Sequence, residues 1–150
     1  MTPEQTVVAC LVLHVLADFP LQTAGQPSLA DLKQKAWWDA QLNRINVEAR
    51  FGSETGRKAH RDQLERKYGK DYQAALWCHS IVWAALTFLP LCRVPGWSAI
   101  VAANAMVHYI VDDLKANRLT INLRTDQTLH VLQIALTLGV FYAVRACLGG

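Results

Sequence analysis

Histidine, aspartate and glutamine recur at intervals of four residues in an apolar stretch near the start of this 150-residue chain. The stretch HVLADFPLQ holds His14, Asp18 and Gln22, and residues four apart share one face of a helix. No Lys or Arg occurs before residue 33. The spacing therefore predicts a polar stripe along one side of an otherwise apolar helix.

The same arrangement recurs in two later apolar segments, and a further histidine, His79, lies in another. Helical spacing in the third segment groups the side chains of Asn104, His108, Asp112 and Lys115. In the fourth segment it groups those of Asp126, His130, Gln133 and Thr137. Each of four apolar segments thus carries a histidine, and only His60 of the five histidines lies elsewhere.

These residue types are the ligands and acid–base groups of metal chemistry. Imidazole nitrogens and carboxylate oxygens bind zinc, manganese and iron, and ionisable residues in membrane helices generally face the interior of a bundle. The predicted metal ligands are His14, Asp18, His79, His108, Asp112, Asp126 and His130. Asp18, Asp112 and Lys115 are predicted to be catalytic, because a free carboxylate can act as a general base and an ammonium can stabilise developing negative charge. Gln22 and Asn104 are expected to support the cluster through hydrogen bonds between helices.

Each of these residues also has a simpler explanation. A single buried histidine can be an ordinary core residue that makes one hydrogen bond and has no other role. Asp126 can stabilise the start of the last helix, and the Lys115 side chain can reach from its helix to the membrane surface. The sequence favours a metal or proton-transfer cluster over these alternatives because four histidines occupy matching positions.

Four apolar segments must position these side chains, at about 3–22, 73–92, 96–114 and 126–148. The chain is 52% hydrophobic and 18% charged, and a membrane-spanning helix needs about 20 mainly apolar residues. The second segment meets that requirement. Pro20 interrupts the first segment. The third and fourth segments meet the requirement if their polar stripes face inward. The sequence therefore predicts an all-α fold, a four-helix transmembrane bundle that forms one membrane domain over 1–150.

The basic residues are distributed unequally between the two predicted sides of the bundle. The loop at about 23–72 holds ten of the fifteen Lys and Arg residues, and the loop at about 115–126 holds three. Only Arg93 and Arg145 fall on the other side. Because cytoplasmic loops carry the excess of positive charge, we expect a bacterial inner-membrane protein with both termini outside and the 23–72 loop in the cytoplasm.

The long first loop contains a helical insert at about 26–70. Ser28 and Asp31 form a capping-box pattern that opens a helix predicted to run to Gly52. A second helix is predicted at about 57–68, ending at Gly69. Tryptophans beside lysines favour contact with anionic lipid headgroups, and an ordinary solvated helix pair is the alternative. The charge of the insert is mixed, so nucleic-acid binding is not expected.

Four stretches of the chain together resemble the motifs of a known family. HVLADFPLQT, LWCHSIVWAALTFL, MVHYIVDDLKANR and TDQTLHVL are similar to a bacterial and phage family of small predicted membrane proteins of unknown function. The resemblance implies a polar site made of His14, Asp18, Gln22, His79, His108, Asp112, Lys115, Asp126, Gln127 and His130. It adds Gln127 as a supporting residue, and it leaves open whether Lys33 or Lys35 matches the family's loop lysine. The long insert departs from the family pattern, in which that loop is much shorter.

We expect the site to lie at the cytoplasmic end of the bundle and to act as a metal-dependent hydrolase on a lipid-like ester or phosphoester. A bound metal would polarise the substrate oxygen and lower the pKa of water. Two alternatives remain open: a proton or metal-ion conduit, and a non-enzymatic membrane module that binds a host component through the insert. Deleting the insert is expected to abolish binding by such a module and to leave hydrolytic chemistry intact. The sequence leaves open the oligomeric state and whether the protein is an enzyme.

Overall fold

The computed structural model describes residues 1–48 and 53–148, and every regular element within them is helical. In chain order the helices are α1 (Pro3–Asp18), α2 (Pro20–Thr23), α3 (Leu29–Leu32), α4 (Lys35–Glu48), α5 (Glu54–Tyr68), α6 (Asp71–Thr87), α7 (Trp97–Ala116) and α8 (Leu123–Cys147), with a 3₁₀ turn at Leu89–Leu91 after α6. The prediction of an all-α fold is confirmed. The predicted helix end at Gly52 lies outside the described residues.

The four long helices α1, α6, α7 and α8 surround one interior. α6 packs against α1 and α7, and α8 packs against α7 and α1, which closes the ring. The side chains of the polar stripes approach one another late in α1 and α7, in the middle of α6 and early in α8. These four helices therefore alternate in direction, and the polar residues collect at one end of the bundle.

The first helix is shorter than the predicted segment. The capping box of Thr2 and Gln5 opens α1, and the helix ends at Asp18, two residues before Pro20. Proline has no N–H to donate and crowds the preceding turn, so the chain restarts as the single turn α2. The Gln22 side chain then donates to the Asp18 carbonyl oxygen at 2.8 Å.

The second long helix is also shorter than predicted. α6 has 17 residues, a length of about 26 Å at 1.5 Å per residue, which is below the hydrocarbon thickness of about 30 Å. Pro90 lies in the 3₁₀ turn that follows. Two segments within the described part of the chain, Pro3–Thr23 and Leu123–Cys147, are long and apolar enough to cross a membrane. Only 33% and 17% of their most apolar windows are buried, whereas the core helix of a soluble protein is mostly buried.

Polar residues fill much of the interior, and apolar residues cover much of the exterior. Buried polar or charged residues on the long helices include Thr6, His14, Asp18, His79, Ser80, Thr87, Asn104, His108, Asp112, Asp126, His130 and Gln133. Exposed apolar residues on the same helices include Val8, Val12, Val15, Ile81, Val82, Met106, Ile110, Leu132, Leu136 and Val140. This distribution is the reverse of that expected when water surrounds a bundle.

The insert folds onto the polar end of the bundle. The Ser28–Asp31 capping box is confirmed, but the helix it opens is α3, which stops at Leu32, and α4 begins at Lys35. The prediction of one continuous helix here is wrong, because the side chains of Trp38 and Asn117 form hydrogen bonds with backbone groups at the break. The Trp38 indole donates to the Leu32 carbonyl at 2.7 Å, and Asn117 of the α7–α8 loop accepts the Lys35 N–H at 2.7 Å. α5 ends as predicted before Gly69.

An apolar core adjoins the buried histidines and extends toward the other end of the bundle. Trp83, which stacks on His108, belongs to it together with Phe88, Ile134 and Leu138. We expect Ile134→Ala to lower the free energy of unfolding by about 2–5 kcal/mol, because Ile134 is 1% exposed and its loss leaves a cavity. Leu132→Ala is the matched control on the same helix, since Leu132 is 52% exposed. Thermal unfolding in detergent micelles measures both. Equal destabilisation by the two variants would contradict this packing of α8.

Candidate metal centre

All seven predicted metal ligands are buried at one end of the bundle. His14, Asp18, His79, His108, Asp112, Asp126 and His130 are each at most 7% exposed. We call this set the polar cluster. It is assembled from the late part of α1, the middle of α6, the second half of α7 and the early part of α8. The stripes of all four long helices therefore meet, as their spacing predicts.

Four donor atoms lie close to one another within the cluster. His79 Nε2 lies 3.0 Å from His108 Nε2, 3.3 Å from Asp112 Oδ2 and 3.6 Å from Asp18 Oδ1. His108 Nε2 lies 3.6 Å from Asp112 Oδ2 and 3.9 Å from Asp18 Oδ1. We call these four atoms the donor quartet. It joins α1, α6 and α7.

Five of the six separations within the quartet are close to those of a transition-metal site, and the ligand atoms of Asp18, His79 and His108 all lie within 4.8 Å of one another. Zinc lies about 2.0–2.1 Å from nitrogen and oxygen ligands, so tetrahedral donors lie about 3.3–3.4 Å apart. The five distances above, from 3.0 to 3.9 Å, bracket that value. Asp18 Oδ1 is buried and has no hydrogen-bond partner among the described residues. The donor set of two imidazoles and two carboxylates therefore fits a divalent metal and leaves one oxygen that needs a ligand.

A second group of potential ligands shares His108. His108, Asp112 and His130 also bring ligand atoms within 4.8 Å of one another. His130 lies on the Nδ1 side of His108, with the two Nδ1 atoms 3.2 Å apart, and its Nε2 lies 3.6 Å from Asp112 Oδ1. Because His108 Nε2 belongs to the quartet, both groups can bind at once only if His108 uses both ring nitrogens.

Asp126 lies beside the quartet rather than within it. Its Oδ2 accepts hydrogen bonds from Lys115 Nζ at 2.7 Å and from Gln127 Nε2 at 3.0 Å. Its Oδ1 lies 3.3 Å from His130 Nε2, and neither of those two atoms makes a hydrogen bond within the described chain. Gln127 also donates to Asp18 Oδ2 at 2.9 Å, so it links the two carboxylates.

His14 lies at the edge of the cluster. Its Nδ1 accepts a hydrogen bond from the Trp83 indole at 3.0 Å and lies 3.8 Å from Asp18 Oδ2. Neither group of potential ligands found among the described residues includes His14 or Asp126. The structure therefore supports His14 as a neighbour of the ligands, in contact with Asp18 and Trp83.

Lys33 is a member of the site that sequence reasoning did not select. Its Nζ lies 2.6 Å from Asp112 Oδ2, and the residue is 3% exposed. Lys35 instead lies at the surface with Asp39, whose hydrogen bond raises the pKa of the Lys35 ammonium. The structure thus places Lys33, not Lys35, at the site, and the loop lysine of the resembling family was the signal available for it.

The insert consequently belongs to the site. Lys33 comes from the turn between α3 and α4, and Asn117 Nδ2 holds that turn by donating to the Lys33 carbonyl at 3.3 Å. Deleting the whole insert would also remove Lys33, the ion-pair partner of Asp112, so it would not separate a binding role from the chemistry of the site. A deletion that begins after Trp38 and ends before α6 would be needed to separate the two roles.

Trp83 is a second unpredicted member of the site. It follows His79 by four residues and therefore shares its helix face. Its ring stacks on the His108 imidazole with the centroids 4.0 Å apart and the planes at 14°. A tryptophan in an apolar segment gives no separate sequence signal, although its spacing from His79 could have indicated it.

The supporting residues differ in what they contact. Asn104 bonds across helices, since its Oδ1 accepts from Gln133 Nε2 at 2.9 Å and from Thr137 at 3.0 Å. The Gln22 side chain instead donates a hydrogen bond to the carbonyl oxygen of Asp18, four residues earlier in the chain. Asn104 therefore joins α7 to α8 beyond the cluster, whereas Gln22 closes the end of α1.

A separate cleft of about 820 Å³ lies at the opposite end of the bundle. Its lining includes Thr6, Arg93, Tyr142 and Arg145, and none of the polar cluster. The candidate metal centre is thus distinct from this cleft.

Searches of protein-family models, curated proteins and solved structures find no match to the chain. The candidate site accordingly rests on its own geometry.

We expect Asp18→Asn to weaken metal binding at least about tenfold, because the quartet then loses a charged ligand. The variant should remain folded, since Asn keeps the shape of Asp and removes a buried charge. Asp113→Asn is the matched control, because Asp113 pairs with Arg118 at the end of α7. Elemental analysis of detergent-purified protein and the quenching of tryptophan fluorescence by added metal measure binding. Wild-type affinity in Asp18→Asn would remove Asp18 from the ligand set.

Proposed function

We propose that the protein is an integral membrane, metal-dependent hydrolase that cleaves an ester or phosphoester at the cytoplasmic face of the bilayer. The observation that carries this proposal is the donor quartet, with its separations of 3.0–3.9 Å and its unpartnered Asp18 oxygen. Two lysines and a free carboxylate oxygen beside the quartet supply the groups that hydrolysis needs.

Membrane insertion is supported by the distribution of side chains. Apolar residues cover the outward faces of all four long helices, and charged residues collect inside. Two of the described segments meet the length and hydropathy needed to cross a bilayer. We further propose that α6 and α7 span with them, that the insert lies in the cytoplasm according to the basic-residue asymmetry, and that the chain is a member of the family it resembles.

The proposed chemistry assigns a separate role to each part of the cluster. Asp18, His79, His108 and Asp112 hold a divalent cation, whose contribution is to polarise the substrate oxygen and acidify water. Zinc, manganese and iron all suit this ligand set. Trp83 fixes the plane of the His108 ring by stacking on it, and Gln127 orients Asp18 by donating to its second oxygen.

Asp126 and His130 are placed to move the proton. Asp126 Oδ1 takes a proton from the attacking water as the water oxygen bonds to the phosphorus or acyl carbon, and His130, at 3.3 Å, shares that proton. The ester bond then breaks, and the departing alcohol oxygen receives the proton back. Lys115, bonded to the other Asp126 oxygen at 2.7 Å, stabilises negative charge on the substrate. We therefore propose Asp126 as the general base, in place of the Asp18 and Asp112 predicted from the sequence.

We expect metal-loaded protein to hydrolyse p-nitrophenyl esters or phosphoesters in mixed micelles, and Asp126→Asn to lower the rate at least about 100-fold. Metal content should stay at the wild-type level in that variant, because Asp126 lies outside the quartet. Asp62→Asn, on the exposed face of α5, is the control. Release of p-nitrophenol is followed by absorbance. Full activity in Asp126→Asn, or no turnover by metal-loaded protein on any substrate of both classes, would contradict the proposal.

A proton relay is a second candidate, favoured by a continuous chain of imidazoles. His79 contacts His108 through their Nε2 atoms at 3.0 Å, and His108 contacts His130 through their Nδ1 atoms at 3.2 Å. Neutral imidazoles in such a chain can pass protons. Proton flux into vesicles that contain the purified protein, with no metal bound, would support this candidate over the hydrolase.

The proposed topology makes a separate prediction from native cysteines. Cys78, Cys92 and Cys147 are exposed, and the last two lie near the end of the bundle that is proposed to lie outside. A membrane-impermeant maleimide should label the wild type in intact spheroplasts and should not label Cys78→Ser/Cys92→Ser/Cys147→Ser. Ser53→Cys, introduced into that triple variant at the start of α5, should react only after lysis. Labelling of Ser53→Cys in intact spheroplasts would reverse the orientation.

A further inference from the structure

Two lysine ammonium groups reach the polar cluster from different elements. Lys33 Nζ lies 2.6 Å from Asp112 Oδ2, and Lys115 Nζ lies 2.7 Å from Asp126 Oδ2. The exposed fractions of their side chains are 4% and 27%. Both lysines lie on the cytoplasmic side of the cluster in the proposed orientation. A ligand that enters from that side would meet both ammonium groups at the edge of the metal donors.

The position of Lys33 is fixed by several contacts outside its own charge pair. Asn117 donates to the Lys33 carbonyl and accepts the Lys35 N–H. Trp38 donates to the Leu32 carbonyl at 2.7 Å. Burying an ammonium group is costly unless it is paired, and yet three hydrogen bonds hold the turn that inserts it. Such a construction indicates that the charge itself is needed at this point.

The charge of the cluster favours an anionic ligand once a metal is bound. Three carboxylates and two ammonium groups give a formal charge of −1 when the imidazoles are neutral, and one divalent cation makes it +1. The cation and Lys33 also compete for the same oxygen, Asp112 Oδ2. When the cation takes that oxygen, Lys33 remains buried without its partner, and an anionic oxygen of the ligand restores the pair.

We infer that Lys33 and Lys115 form an anion-binding pair and that the ligand of the site is a phosphoryl group rather than a neutral carboxylic ester. This inference rests on the proposed function and narrows its substrate class. Lys33, supplied by the insert, acts as a substrate-binding residue, and each ammonium donates hydrogen bonds to phosphate oxygens. The phosphoryl group can belong to a lipid headgroup or to a soluble phosphate ester, since both present the same oxygens.

Binding of inorganic phosphate to metal-loaded protein tests the inference. Equilibrium dialysis with radiolabelled phosphate is performed in detergent, after unbound metal has been removed and bound metal measured. We expect Lys33→Met and Lys115→Met each to weaken phosphate binding at least tenfold with metal content unchanged. Lys33→Arg should retain binding because it keeps the charge. Lys35→Met is the matched control, since that lysine pairs with Asp39 at the surface, and it should bind phosphate as the wild type does.

The outcomes separate this inference from the proposed function. Bound metal with no phosphate binding, or with binding that both methionine variants retain, overturns the anion-binding pair and leaves the metal centre standing. Absence of bound metal in the wild type overturns the metal-dependent function, and the inference with it. If Lys33→Met fails to fold, Lys115→Met is used for the test, because Lys115 is partly exposed. Wild-type phosphate affinity in Lys115→Met then overturns the inference of an anion-binding pair.

A competition arm identifies the source of the phosphoryl group. Phosphatidic acid in mixed micelles and glycerol 3-phosphate in solution are each titrated against bound radiolabelled phosphate. Displacement of phosphate by either compound supports the inference. The compound that displaces phosphate at the lower concentration shows whether the ligand is a lipid or a soluble phosphate ester. Failure of both to displace phosphate would overturn the assignment of a phosphate ester.

Discussion

The buried Asp112 carboxylate is the constraint on which the rest of the site depends. Its two oxygens lie within 3.6 Å of nitrogens from Lys33, His79, His108 and His130, so one side chain ties α7 to α6, α8 and the insert. A carboxylate that is 1% exposed must be matched by positive charge or hydrogen bonds. The surrounding elements are therefore arranged so that each of these four neighbours offers Asp112 a nitrogen.

The outer surface of the bundle follows from this interior. Charged and polar groups fill the space at one end, and the apolar side chains of the same helices point outward. In a bilayer, outward apolar residues are in their preferred surroundings, and inward polar residues are satisfied by one another. The compact apolar core around Trp83, Phe88 and Ile134 then anchors the opposite end, where few charges need partners.

Periodicity made the polar stripes predictable, because residues four apart must share a helix face whatever the tertiary structure. His108 with Asp112 and Asp126 with His130 were identified in this way, and the four long helices were located to within a few residues. Long-range contacts were not predictable by the same means. Lys33 enters the site because Asn117 and Trp38 interrupt a helix that the local sequence favours, and no spacing rule relates residue 33 to residue 112. The division of the quartet from Asp126 likewise depends on side-chain rotamers rather than on position along a helix.

The contacts at the site join distant parts of the chain, and this has a consequence for how the protein is made. Lys33 and Asp112 are 79 positions apart, and Gln127 and Asp18 are 109 positions apart. Asp18 emerges from the ribosome long before the helix that carries Gln127 exists. A carboxylate isolated in hydrocarbon is costly, so under the proposed membrane insertion α1 would gain most by remaining beside the insertion machinery until α8 has been synthesised. Release of the four helices into a bilayer as a group would cost less free energy than release of the helices one at a time.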